Sequence, residues 1–248
     1  GWALLLGLFV SVFSVSVPTV HAVSRVYIWP EGLVEPSTAP IHRNGDFYEF
    51  TGDLNAQFIV QKSNVVIDGK GFTVQGQSRE GIGVHLQGLT NVTVRNLAVS
   101  DFDHAIELDN CSFILLENNC LNNQGSGIVL DQNSNNNTVT NNSINATNYN
   151  AFFLGESSNN IIHSNTITNT ANVLDSFDAS YNQIYNNTVA SARGYFGLYL
   201  PSGCNSNLIC ANRGSFSIGL GGADNQVYGN DVGGVSLQGT YAGAGVQH

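Results

Sequence analysis

The chain has 248 residues and a formal net charge of −10 at pH 7, because 18 acidic residues outnumber 8 basic ones. This balance excludes the basic surface that nucleic-acid binding requires, and it repels an anionic polymer unless a cation bridges the two. The composition favours neutral glycans, cations or protein partners as ligands.

The first segment, residues 2–17, is an apolar stretch that is short for a membrane span. Val20-His-Ala22 then supplies the small residues of a signal-peptidase site, so residues 1–22 are predicted to be a signal peptide. The alternative is an uncleaved N-terminal anchor, and in both cases the chain meets the membrane only through this segment. We therefore expect a secreted, periplasmic or cell-surface protein.

Residues 23–62 are predicted to form a short N-terminal β cap. Val26-Tyr-Ile-Trp29 has the pattern of a strand, and Asn44-Gly45 within residues 41–50 indicates a hairpin. Residues 57–61 supply a further strand. A stack of parallel strands leaves the backbone of its first layer unpaired, so some segment must cover that end.

Residues 63–240 contain a repeated six-residue phrase with an aliphatic residue at each end and Asn at its fourth place. It reads Leu116-Glu-Asn-Asn-Cys-Leu121, Val139-Thr-Asn-Asn-Ser-Ile144, Ile162-His-Ser-Asn-Thr-Ile167 and Ile184-Tyr-Asn-Asn-Thr-Val189. A repeat of 22 or 23 residues indicates one small unit stacked on copies of itself. The short apolar alternation favours strands over helices.

The phrase recurs through eight coils. Its first position falls at Ile67, Val94, Leu116, Val139, Ile162, Ile184, Ile209 and Val227. The first spacing is longer than the next four, which predicts a protruding loop at residues 75–81. Each coil also has a second strand, from Ile82-Gly-Val-His-Leu86 to Gly234-Val-Ser-Leu237, although the register of Val173-Leu-Asp-Ser-Phe177 is left open.

The Asn of each phrase is predicted to form a structural ladder. Parallel strands lie about 4.8 Å apart, so side-chain amides in register can hydrogen-bond along the stack. The predicted members are Asn119, Asn142, Asn165, Asn187, Asn212 and Asn230.

The repeats and the segment Asn64-Val-Val-Ile-Asp-Gly-Lys-Gly-Phe72 resemble the NosD-like repeat proteins, named for a periplasmic copper-related factor, within the pectin-lyase-like superfamily. The resemblance covers residues 63–237. It implies an all-β fold, a right-handed parallel β-helix of about eight coils. For activity it implies less, because that superfamily holds lyases, hydrolases, adhesins and proteins of no known activity.

The cysteines Cys111, Cys120, Cys204 and Cys210 are expected to be unbridged. Each close pair brackets an extended segment, and six strand residues span about 20 Å. A disulfide needs a Cα separation below about 7 Å.

Arg95 is a candidate catalytic base. It belongs to an outward column and lies between Asp68 and Glu117 on the neighbouring coils. The resemblance implies the role, since lyases of the superfamily abstract a proton with a basic residue beside calcium-holding aspartates. The competing interpretation is a surface ion pair across strands.

The densest acidic cluster surrounds the second strand of the early coils. Asp109 and Asp131, on adjacent coils, are candidate catalytic carboxylates at the roughly 5 Å separation of a retaining glycosidase pair. Candidate metal ligands in the same region are His85, Asp101, Asp103 and His104. The alternative is a solvated acidic turn without a ligand.

The candidate binding residues are Glu107, from the acidic cluster, and Phe153, Tyr185 and Tyr199. The three aromatic residues are included because aromatic faces stack on sugar rings. The hydrolase signatures of the superfamily are absent. We therefore expect a non-catalytic protein that presents a rigid face to a polysaccharide or a cell-envelope component. A polysaccharide lyase or glycoside hydrolase and a copper-related accessory protein are the alternatives.

No cofactor is fixed by the sequence. Calcium is the expected ion if one is bound, and copper is disfavoured because the chain has no Met and scattered His. Residues 241–248 form a Gly-rich tail that is poorly suited to cap a hydrophobic end, so we expect the C-terminal end to meet further repeats or another subunit.

Overall fold

The computed structural model describes residues 24–145, 147–193 and 197–237. The predicted signal peptide or anchor, residues 1–22, and the predicted tail, residues 241–248, lie outside the described residues. Within the described ranges every regular element is a β-strand, and the strands stack into a parallel β-helix of about eight coils. The fold predicted from the sequence is confirmed.

Three sheets run along the stack, with strands numbered in chain order. The eleven-stranded sheet contains, in spatial order, β2 (Val34–Glu35), β1 (Arg25–Ile28), β5 (Gln57–Val60), β8 (Ile82–Gln87), β11 (His104–Asp109), β14 (Ser126–Asp131), β17 (Asn150–Gly155), β20 (Asn172–Phe177), β23 (Leu198–Leu200), β26 (Ser217–Leu220) and β28 (Gly234–Leu237). The ten-stranded sheet contains β27 (Gln226–Tyr228), β24 (Leu208–Cys210), β21 (Gln183–Tyr185), β18 (Ile161–His163), β15 (Thr138–Thr140), β12 (Leu115–Glu117), β9 (Val92–Arg95), β6 (Val65–Asp68), β4 (Phe47–Phe50) and β3 (Ile41–Asn44). The seven-stranded sheet contains β25 (Arg213–Gly214), β22 (Thr188–Val189), β19 (Thr166–Thr168), β16 (Ser143–Asn145), β13 (Cys120–Asn122), β10 (Ala98–Ser100) and β7 (Thr73–Gln75).

The predicted register of the phrase is confirmed along the eight strands of the ten-stranded sheet that carry it. Leu116 pairs with Val94 on one side and Val139 on the other, and the remaining first positions follow in the same order. All eight are buried in one continuous apolar core. In the coil whose register the sequence left open, Leu174 pairs with Phe152 and Leu198.

The N-terminal segment contributes strands to the same sheets as the repeats. Strands β1 and β5 join the eleven-stranded sheet in parallel with β8, and β4 pairs in parallel with β6. The predicted hairpin is present between β3 and β4, with Asn44 opposite Phe47. The predicted loop is present as well, and residues 77–81 are exposed.

The predicted asparagine ladder is present in all six members. Asn142 donates from Nδ2 to Asn165 Oδ1 at 3.1 Å and to Leu116 O at 3.0 Å. Its own Oδ1 accepts from the backbone N–H and the side-chain amide of Asn119, at 2.9 and 3.0 Å. Equivalent bonds join the remaining members to their neighbours. These bonds satisfy buried polar groups that would otherwise oppose folding.

A second ladder, not predicted from the sequence, runs parallel to the first. Its members precede the first position of the phrase by two residues: Asn137, Asn160, Asn182, Asn207 and Asn225. Asn137 accepts a hydrogen bond from the backbone N–H of Ile114 at 2.9 Å, and each later member accepts one from the backbone N–H of the preceding member, at 2.8 to 2.9 Å. The pattern Asn-x-aliphatic is present in the sequence of each of these coils.

The asparagine doublets of the phrase have a conformational cause. Asn118, Asn141 and Asn186 each precede a ladder residue and have φ near +55°. Asn tolerates this left-handed conformation better than other residues with a side chain. The first Asn of a doublet therefore turns the corner, and the second enters the ladder.

All four cysteines are free, as predicted. Cys111 and Cys204 are buried, and burial raises the pKa of both thiols. Among the described residues no helix is long and apolar enough to cross a membrane.

We predict that Asn142→Ala lowers the free energy of unfolding by about 2–5 kcal/mol, because it leaves several buried donors and acceptors unpaired. Chemical denaturation followed by circular dichroism measures the change. The matched control is Asn141→Gly, an exposed neighbour in a left-handed conformation that glycine adopts freely. Equal losses in the two variants would contradict a structural role for the ladder.

Candidate functional site

The outer face of the eleven-stranded sheet carries the richest set of functional side chains. Because the strands are in register, Glu107 lies beside His85 on one side and Val129 on the other. The column continues through Phe153 to Asp175. One pleat further along the strands, Asp109 pairs with Asp131. The stacking thus brings together residues that are about 22 positions apart in sequence.

A groove with a volume of about 440 Å³ opens on this face. Its lining includes Glu107, Asp131, Phe153 and Asp175, together with Tyr149 from the loop before β17. Tyr149 is 60% exposed although it belongs to a well-anchored loop. Its backbone N–H donates to Gly125 O at 2.8 Å, and its carbonyl accepts from Asn172 N–H at 2.8 Å. The groove therefore has an exposed aromatic side chain on an anchored stretch of backbone.

Two of these residues were missed from sequence. Tyr149 lies in a turn between repeats, and no pattern in the repeat points to it. Asp175 belongs to the coil whose register was open, and its place beside Phe153 follows only once that register is known.

His104 and Glu107 form a hydrogen-bonded pair that also lines the groove. The distance between His104 Nδ1 and Glu107 Oε2 is 2.5 Å. This bond raises the pKa of His104 above its usual range, although burial acts in the opposite direction. Asp103 lies 3.9 Å from His104 Nε2 and adds a weaker attraction.

His85, Glu107 and Asp109 form a compact cluster beside the groove. Their ligating atoms all lie within 4.8 Å of one another, and His85 Nε2 lies 3.0 Å from Asp109 Oδ2. Asp109 is only 6% exposed, and its Oδ1 has no hydrogen-bond partner among the residues that the structure describes. Such an orphaned buried oxygen is rare in folded proteins.

The other predicted metal ligands lie outside this cluster. Asp101 accepts hydrogen bonds from Gln75 Nε2, at 2.6 Å, and from Asn123 Nδ2. Asp103 Oδ2 lies 3.9 Å from His104 Nε2, outside the cluster. Of the predicted set, the structure joins His85 to the two carboxylates of β11 and leaves Asp101 and Asp103 apart.

Asp109 and Asp131 are register neighbours, but their carboxyl groups have different surroundings. Asp109 is buried against His85, whereas Asp131 lines the groove and accepts a hydrogen bond from the backbone N–H of Gln132 at 2.9 Å. The groove lining includes Asp131 without Asp109. The geometry does not present them to the groove as a pair.

Arg95 lies on the ten-stranded sheet, away from the groove. Its Nε contacts Asp68 Oδ2 at 3.0 Å, and its Nη1 lies 3.9 Å from Glu117 Oε1. The guanidinium also covers the ring of Phe47, at 5.9 Å from the centroid. These contacts favour the ion-pair interpretation over a proton-abstracting role.

The predicted aromatic binding residues do not share one surface. Phe153 lines the groove, and Tyr199 belongs to β23, two coils beyond it on the same sheet. Tyr185 lies on the ten-stranded sheet and stacks on His163, with ring centroids 5.0 Å apart. Only Glu107 and Phe153 of the predicted binding set meet in the groove.

The sequence model of the family described as "Periplasmic copper-binding protein (NosD)" matches residues 55–216. This match covers more than half of the chain, so the chain belongs to the NosD family. The resemblance inferred from the repeats is confirmed. No curated protein matches the sequence significantly.

Three solved structures show the same fold. The alginate lyase from Paenibacillus sp. str. FPU-7 matches with a TM-score of 0.54 at 11% identity, over 75% of this chain and 89% of that one. DFA-IIIase from Arthrobacter chlorophenolicus A6, a C387A mutant in complex with DFA-III, has a TM-score of 0.60 at 16% identity, over 71% and 49% of the two chains. The periplasmic alginate epimerase AlgG has a TM-score of 0.55 at 18% identity, over 73% and 47%. The chain thus spans about half the length of the last two.

The ion pair between Arg95 and Asp68 makes the stability of the fold depend on pH. Burial opposes ionisation of Asp68, but hydrogen bonds from Asn96, the Lys70 N–H and Arg95 outweigh it, so the pKa lies below its usual range. Ionised Asp68 therefore stabilises the fold above the unfolded-state pKa of about 3.9, and this stabilisation is lost as pH falls through the lower folded-state pKa.

We expect the difference in thermal midpoint between wild type and Asp68→Asn to be largest above about pH 5 and to shrink as pH falls below 4. Scanning calorimetry across that range measures it. A difference that stays constant with pH would show that Asp68 acts through packing rather than through its charge.

Proposed function

We propose that this protein is an exported binding protein that holds a saccharide chain in the groove of the eleven-stranded sheet. The observation that carries the proposal is the pairing of aromatic side chains, Tyr149 and Phe153, with the carboxylates Glu107, Asp131 and Asp175 in one groove. Aromatic faces stack on the apolar faces of sugar rings, and carboxylates accept hydrogen bonds from hydroxyl groups.

The charge of the groove favours neutral saccharides. Its lining contains three carboxylates and no Lys or Arg among the described residues, and the chain carries a net charge of −10. An anionic polymer would be repelled at close range. The asparagines Asn148, Asn150 and Asn172 add amide donors and acceptors that suit hydroxyl groups.

The location follows from three observations. The family is described as periplasmic, one structural neighbour is a periplasmic enzyme, and residues 1–22 have the pattern of a signal peptide. These observations support export to the periplasm or the outer surface of the cell.

Catalysis in the same groove is the second candidate function. The observation in its favour is the close pair of His104 and Glu107, which can transfer a proton at the groove wall. Two structural neighbours are an alginate lyase and an alginate epimerase. A polysaccharide lyase or glycoside hydrolase would use this pair together with Asp131.

A copper-related role, which the family description suggests, is limited by the donors available. The chain has no Met, and its buried thiols Cys111 and Cys204 lie on different coils. Sites for Cu(I) use clustered sulfur ligands. Copper would therefore be held by nitrogen and oxygen donors as Cu(II).

We expect Tyr149→Ala to weaken binding of the best neutral oligosaccharide by about three- to tenfold, because a stacking contact contributes about 0.5–1.5 kcal/mol. A glycan array of neutral and uronate oligosaccharides finds the ligand, and calorimetry measures the affinity. The matched control is Tyr181→Ala, since Tyr181 is 62% exposed and lies outside the groove lining. Absence of binding across the array, or equal losses in both variants, would refute the proposal.

The catalytic alternative is separated by a direct assay. Purified protein is incubated with each polysaccharide, with and without calcium, while unsaturated uronate and new reducing ends are measured. We expect neither product. Product formation that disappears in Asp131→Asn would replace the binding proposal with an enzyme.

A further inference from the structure

We propose that His85, Glu107 and Asp109 form a binding site for a divalent first-row transition-metal ion such as Zn²⁺ or Cu²⁺. Two adjacent strands position the ligands. His85 belongs to β8, and Glu107 and Asp109 lie two residues apart on one face of β11. The site is independent of whether the groove binds a saccharide.

The geometry suits one small ion. Metal–ligand distances for Zn²⁺ are about 2.0–2.2 Å, so ligand atoms around one ion lie about 3–4.4 Å from each other. The three ligating atoms here lie within 4.8 Å of one another, and His85 Nε2 lies 3.0 Å from Asp109 Oδ2. Small side-chain rotations bring all three to coordination distance.

Asp109 supplies the independent evidence for a ligand. Its side chain is more than nine-tenths buried, and Oδ1 has no hydrogen-bond partner in the described part of the chain. A buried carboxylate oxygen without a hydrogen bond opposes folding unless a cation or another donor completes it. An ion shared with His85 and Glu107 would complete it.

The negative charge of the two carboxylates in the cluster also favours a bound cation. Glu107 and Asp109 lie on one strand, and within the described chain neither pairs with a Lys or Arg. His104, which contacts Glu107 at 2.5 Å, holds that carboxylate in place as an outer partner. One divalent ion neutralises both carboxylates at once.

The donor set selects the class of ion. An imidazole nitrogen suits zinc, copper, nickel or iron, whereas calcium takes six to eight oxygen ligands. Three protein ligands leave a further coordination position open to water or substrate, as in catalytic zinc sites. His85 and Glu107 remain 22% and 15% exposed, so an ion can enter from the groove side.

The test is calorimetric titration of the tag-free, chelator-treated full chain with Zn²⁺, Cu²⁺ and Ca²⁺ separately. We expect one site for Zn²⁺ or Cu²⁺ and at least tenfold weaker binding of Ca²⁺. His85→Gln and Asp109→Asn should each weaken the transition-metal site at least tenfold, the range seen when a supporting partner of a metal is lost. Cu²⁺ electron paramagnetic resonance should show nitrogen coupling that disappears in His85→Gln.

Two controls keep the result interpretable. Glu31→Gln removes an exposed carboxylate before β2, outside the three ligands and the groove lining, and His42→Gln removes an exposed histidine on β3. Both should retain wild-type affinity, and circular dichroism checks that every variant is folded. No stoichiometric binding of Zn²⁺ or Cu²⁺, or equal weakening in Glu31→Gln and Asp109→Asn, would overturn the site.

Discussion

The pairing of buried amides between coils is the constraint on which the rest of the structure depends. A ladder asparagine satisfies its own side chain and the backbone N–H of the preceding coil at once, as Asn165 does when its Oδ1 accepts from Asn142. A shift of one residue would leave these groups unpaired inside an apolar core, at about 1–3 kcal/mol for each group. The ladders therefore fix register more than they add stability.

Fixed register makes the outer surface a grid with predictable neighbours. His85 lies beside Glu107 because the aliphatic residues next to them, Leu86 and Leu108, must align inside the core. Outward positions are free to vary, since they do not enter the core or the ladders. A functional site can thus arise from substitutions on separate coils without any change in the fold.

The architecture and the neighbours of the outward residues were predictable wherever the repeat is regular, because both follow from periodicity; Asp175, in the one coil that departs from the pattern, was not. The depth at which a side chain lies was not, because it depends on the loops that flank the sheet. Asp109 and Asp131 occupy equivalent positions in their strands, yet one is buried against a histidine and the other lines an open groove. The repeat pattern is the same for both residues.

Site residues that lie outside the repeat could not be predicted from the sequence, for the same reason. Tyr149 belongs to a turn whose length and direction are set by hydrogen bonds to Gly125 and Asn172 on the two neighbouring coils. No pattern within its own coil distinguishes it from Tyr181, which is equally exposed and lies elsewhere. Only the assembled stack shows which of the two tyrosines faces carboxylates.

Glu107 belongs both to the groove and to the cluster of possible metal ligands on this face. It lines the groove with His104, and it also lies within the cluster of His85 and Asp109. The carboxylates at the groove wall repel an anionic ligand. A cation bound in that cluster would cancel part of this negative charge. The preference of the groove for neutral over anionic saccharides would then depend on the bound metal as well as on the sequence.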